Sequence, residues 1–105
     1  MAQVRGFFEY LILPERRNAF LELIKQVRAI QTTAGFREYS LCESLVQQNL
    51  FVETFLLDSL EEYQAIKAKL LEDPATHALY NQLHECISGG PAKKKEWFFE
   101  EVPLD

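Results

Sequence analysis

Leu50-Phe51-Val52-Glu53-Thr54-Phe55-Leu56-Leu57, followed at once by Asp58-Ser59-Leu60-Glu61-Glu62-Tyr63, is the stretch that decides the fold. The first eight residues read as a strand, being aromatic, β-branched and apolar. Both alternating sets are apolar: Leu50, Val52 and Leu56 on one side, Phe51, Phe55 and Leu57 on the other. A strand with one face in water alternates apolar with polar, so this strand asks for cover on both faces. Ser59 with Glu62 three residues later is a capping box, and a helix carrying Leu60, Tyr63, Ile66 and Leu70 is expected to start there.

Working back from this stretch, residues 46–49 are a candidate hairpin connection, and residues 36–45 read as a strand with Tyr39, Leu41 and Leu45 on one side. Gly35 is a stop for the helix expected over residues 14–33, whose Phe20, Leu23, Ile24, Val27 and Ile30 form one stripe. Pro14 suits the first turn of that helix, where the missing N–H is orphaned anyway. Residues 4–13 read as another strand with two largely apolar faces. Working forward, Asp73-Pro74 breaks the second helix into two pieces, with Leu79, Tyr80, Leu83 and Ile87 on the later piece. Gly89-Gly90-Pro91 ends it, and residues 94–102 read as a last strand in which Trp97 and Phe99 oppose Phe98 and Val102.

The order is β-α-β-β-α-β. Right-handed crossovers turn it into a ferredoxin-like α+β fold, a four-stranded antiparallel sheet with its helices on one face. A chain of 105 residues fits one domain, spanning 1–105, with one core. One layer of helices hides one sheet face, yet at least three strands are apolar on both. The simplest cover for the second face is the same face of another copy, so a homodimer is expected.

The formal net charge of -5 argues against nucleic acid and anionic membrane surfaces as partners, since both select basic proteins. Lys93-Lys94-Lys95 is a short basic run read as a solvated strand entrance. No segment approaches the ~20 apolar residues of a membrane span, and no signal peptide is expected. Cys42 and Cys86 fit no zinc or redox spacing, so both are expected as free thiols in a reducing cytoplasm.

Phe51-Val52-Glu53-Thr54-Phe55 with Asp58-Ser59-Leu60-Glu61-Glu62-Tyr63 resembles the dimeric α+β barrel superfamily, including the antibiotic biosynthesis monooxygenase-like domains. Val27-Arg28-Ala29-Ile30 and Leu83-His84 are looser matches. The nearest likeness is to a C-terminal domain of major-facilitator-type exporters of the transmembrane secretion effector group. The resemblance implies two sheets packed into a barrel and a cleft between each sheet and its helices. It implies cofactor-independent oxidation or binding of a small aromatic molecule there; the alternative is a non-catalytic ligand-binding or accessory homodimeric module. Haem-degrading relatives use an Asn, a Trp and an axial His. This chain has Leu60 in place of that Trp, and Lys67 or Ile66 in place of that His.

Three residues are candidates for catalysis. His84 titrates near neutrality and can act as a general base. Glu53, in an apolar strand, would have a raised pKa if it faced the cleft, or would pair with Arg5 or Arg37 across the sheet. Glu9 alternates in the same way and can share its face. Tyr63, with Tyr10, Tyr39 and Tyr80, can orient a phenolic substrate or supply core area. His77 and His84, seven residues apart, lie about 10 Å apart along a helix axis, too far to share a metal without other ligands. No cofactor or metal is expected.

Overall fold

A computed structural model describes residues 3–105. Strand β1 is Val4–Leu11, and Pro14–Arg16 then forms one tight 3-10 turn before helix α1, Arg17–Ala34. The helix therefore begins three residues later than proline alone suggests, because Arg16 N–H is taken by Leu13 O at 2.8 Å. Gly35, at φ 131°, ends α1 in a conformation that favours glycine. Its N–H and that of Phe36 both donate to the Gln31 carbonyl.

Strand β2 is Arg37–Glu43 and β3 is Leu50–Leu57. β2 stops short of Leu45 because the Ser44 hydroxyl accepts the N–H groups of Val46 and Gln47, which turns the chain. Leu45 and Val46 are left almost fully exposed. Arg17 holds this hairpin to α1 by donating to both Glu43 carboxylate oxygens and to Asn49 Oδ1. That guanidinium, helped by Asn49 N–H, holds the Glu43 carboxyl down at about 2.

Helix α2, Leu60–Glu72, is capped as the sequence predicts: Ser59 Oγ accepts Glu62 N–H at 3.0 Å. Asp73 is at once the C-cap of α2 and the N-cap of helix α3, Pro74–Glu85, where its carboxylate accepts Thr76 N–H. Strand β4 is Lys95–Glu100.

The four strands are antiparallel in the order β2-β3-β1-β4. Since side chains alternate, register decides which residues meet the helices. Phe8, Tyr10, Phe51, Phe55 and Leu57 point toward α1 and α3 and are buried with Phe20, Ile24, Val27 and Leu83. Rings fill this layer, with Phe36 stacked on Phe55 at 4.3 Å between centroids. Gly6 leaves room for them: a Cβ there would lie 2.2 Å from the Phe55 ring.

The opposite face carries Phe7, Glu9, Leu11, Val52, Trp97 and Phe99 from the alternate positions. Phe7, Glu9, Val52, Trp97 and Phe99 line a shallow depression there, with Trp97 47% and Phe99 52% exposed. No helix among the described residues is long and apolar enough to cross a membrane.

Candidate functional site

The helical face of the sheet is incompletely filled beside β4, and the gap is a cavity of about 610 Å³. Its walls come from every layer of the fold. Phe8 rises from β1 and Phe36 precedes β2; Tyr63, Lys67, Leu70 and Leu71 descend from α2; His77, Tyr80, Asn81 and His84 belong to α3. Gln31 closes it from the last turn of α1, and Pro91, Ala92, Lys94 and Glu96 from the approach to β4 and its start. Mostly apolar walls with a few converging polar groups are the usual make-up of a small-molecule pocket, and the volume lies within the ~300–1,000 Å³ such pockets span.

Beside Lys67, His77 and Asn81, several polar groups of the wall are held by contacts. Tyr63 Oη donates to Glu96 Oε2 at a long 3.4 Å, and burial followed by the Glu96 charge keeps its phenol protonated well above the ordinary value. Lys94 Nζ stands 4.2 Å from the centre of the Phe8 ring and 3.4 Å from the Glu96 carboxylate, with only 15% of its side chain exposed. Gln31 Nε2 donates to Tyr80 Oη at 2.8 Å, and burial pushes the Tyr80 phenol up to about 12. His84 stands beside these groups. Burial, then the Lys94 charge, lowers its pKa, so its imidazole is neutral at neutral pH. Among the described residues, His84 Nε2 and Gln31 Oε1 are the buried side-chain polar atoms left without a hydrogen-bond partner.

His84 and Tyr63 are thus brought together in the cavity, as is Tyr80. Glu53 is not among the cavity residues. It faces the helices but is only 2% exposed, and two phenols clasp it: Tyr39 donates to Oε1 at 2.6 Å and Tyr10 to Oε2 at 2.8 Å. Burial raises its pKa, while the two phenols and Lys94 pull the other way. The cross-strand arginine partners are engaged elsewhere, Arg5 with Glu101 and Arg37 with Asp58. Glu9 does not share the face of Glu53. It pairs in register with Val52, so alternation sends it to the open face beside Lys95.

Several cavity residues escaped the sequence reading, and two of them, Gln31 and Lys94, bear on its chemistry. Gln31 lies four residues after Val27 and seven after Ile24, on the buried stripe of α1, and is 3% exposed. A polar residue at a core position of a helical stripe is itself a signal. Lys94 was expected to be solvated with its neighbours, but the turn at Pro91–Lys93 sends its stem inward over Phe8. Leu60 is 42% exposed and Lys67 brings an ammonium to the cavity, so neither supplies the Trp or His that haem-degrading relatives use. Trp97 stands on the opposite face. Among the described residues, no three His, Cys, Asp or Glu side chains gather where they could hold a metal ion.

No family model and no curated protein matches the sequence. Solved structures do match in fold. A NIPSNAP family protein from Agrobacterium tumefaciens is 17% identical with a TM-score of 0.80, over 98% of this chain and 89% of that one. An antibiotic biosynthesis monooxygenase described as putative, from Bordetella bronchiseptica, is 12% identical with a TM-score of 0.77, over 98% of this chain and 100% of that one. SnoaB, a cofactor-independent oxygenase from Streptomyces nogalater, is 12% identical with a TM-score of 0.74, over 99% of this chain and 97% of that one. The chain therefore shares its fold with these proteins and with antibiotic biosynthesis monooxygenase-like structures more widely.

Proposed function

From that shared fold and the cavity it frames, we propose that this chain is a one-domain homodimer that takes a small aromatic molecule beside His84 and oxidises it with O2, without an organic cofactor. The observation that carries the reading is the cavity of about 610 Å³ with an unpartnered, buried His84 Nε2 in its wall. A neutral imidazole there accepts the proton of a phenol or of an activated ring CH2. The resulting anion is electron-rich enough to reduce O2 directly. In the balanced reaction one oxygen atom replaces the two hydrogens of the CH2 as a carbonyl, and the other leaves with them as water. Tyr63 and Lys94 are placed to orient the ring and its developing negative charge. Glu53 holds Tyr10 and Tyr39 in place behind the cavity, and its role is positioning.

The homodimer is supported by the half-exposed rings of Trp97 and Phe99, which with the partly buried Phe7 make an apolar surface suited to a second sheet. Two free cysteines suit a reducing cytoplasm. Binding without chemistry is the second reading. It is favoured by the sealed position of Glu53, which keeps that carboxylate out of the cavity wall.

An oxygen electrode with anthrone and quinol substrates tests the proposal. Uptake is expected in the wild type, and in His84→Ala it should fall by about 100-fold, the usual loss of a general base. Aromatic binding without uptake would establish the second reading. If neither binding nor uptake occurs, both readings are wrong.

A further inference from the structure

Gln31 is held with unusual firmness for a polar side chain in an apolar layer. Its backbone carbonyl accepts two N–H groups at the end of α1, and its Nε2 donates to Tyr80 Oη at 2.8 Å. The residue is 3% exposed and belongs to the cavity wall, and its Oε1 is buried with no partner. A buried amide oxygen left bare is destabilising, and an apolar side chain at this position would avoid that loss. Having accepted from Gln31, the Tyr80 hydroxyl keeps its own proton to donate. Joined to each other in the cavity wall, the two side chains therefore keep one unused acceptor and one unused donor between them.

We propose that Gln31 and Tyr80 form a hydroxyl-recognition site, and that the ligand of this cavity is an aromatic alcohol whose O–H donates to Gln31 Oε1 while its oxygen accepts from Tyr80. This rests on the cavity being the ligand site. It adds the class of ligand: a phenol-type hydroxyl, in preference to an ether, which lacks the donor, or a carboxylate, which would set negative charge against the amide oxygen. A site built to bond a hydroxyl rejects analogues without one far more strongly than an apolar pocket can, because its own polar groups are then left unpaired.

Calorimetric titration of the whole chain with 2-naphthol, 2-methoxynaphthalene and naphthalene-2-carboxylate tests the assignment. In the wild type, 2-naphthol should bind at least about tenfold more tightly than the other two. In Gln31→Met, which keeps length and apolar volume, the preference over the ether should shrink to about twofold with ether affinity kept or improved. Tyr80→Phe leaves the packing intact and should shrink it likewise, so the test survives if one variant fails to fold. The assignment is overturned if the ether matches the naphthol in the wild type, if the preference persists in a folded variant, or if the carboxylate binds best. In each of those cases the cavity still binds aromatics and the functional reading stands. Binding of none of the three probes would remove both.

Discussion

Tyr39→Phe removes one oxygen from the buried set around Glu53 and nothing else. The hydroxyl donates to Glu53 Oε1 at 2.6 Å, and the Tyr10 hydroxyl serves Oε2 at 2.8 Å. Both carboxylate oxygens are therefore occupied by donors, an arrangement suited to the ionised form. A hydrogen bond to a charged group contributes about 1.5–3 kcal/mol, so its loss should destabilise the fold by about 2 kcal/mol at pH 8. For a chain of this size that lowers Tm by about 10 °C. The sign with pH follows from linkage. Burial raises the folded pKa of Glu53, so its contribution is complete below the ordinary carboxylate value and is lost as pH rises through the folded one. Removing a donor raises that folded pKa further. The deficit of Tyr39→Phe should then be largest at pH 8 and shrink toward pH 4, where the protonated carboxyl needs the phenol less. Urea unfolding at fixed protein concentration, followed by circular dichroism at both pH values, measures it. A loss below about 0.5 kcal/mol at pH 8, or the same loss at both, would refute an ionised Glu53 clasped by two phenols.

Gly6→Ala places a methyl 2.2 Å from the Phe55 ring and should destabilise by about 1–3 kcal/mol through overpacking, read as a lower Tm by calorimetry. Arg17→Met releases Glu43, whose carboxyl should rise from about 2 toward the ordinary range by NMR titration. The tie normally persists above the ordinary carboxylate value and fades as pH falls toward about 2, so the variant should lose that part of the acid response. Trp97→Lys with Phe99→Glu places charges on the open face; under the proposed pairing, sedimentation should show a dimeric wild type and a monomeric variant, and a monomeric wild type or an unchanged variant would refute that pairing.

The strands and helices were legible because their signals are local. Alternation in Leu50–Leu57, the Ser59 cap and the Asp73-Pro74 break each lie within a few residues, and each appears where the pattern puts it. The site was legible only in part, because its partners are far apart in sequence. His84 and Tyr63 were picked by residue type and line the cavity, but that Tyr10 clasps Glu53 across 43 positions depends on register between β1 and β3. The pattern of two apolar faces did not say which face meets the helices. It therefore left Glu9 and Glu53 equivalent, although the pairing of Phe8 with Glu53 sends them to opposite sides. Lys94 was hidden by its neighbours: a run of three lysines reads as solvent-facing, and the turn before β4 sorts one of them inward.

Asp73 has a consequence for the chamber as a whole. The rods bearing Tyr63 and Lys67 on one side and Tyr80 and His84 on the other share a single residue, which finishes one rod and begins the next. Rotation about that pivot would spread or narrow the gap between them while the four paired ribbons below keep their register. The opening angle of the two rods, and with it the width of the gap, is thus set at one position apart from the ribbons.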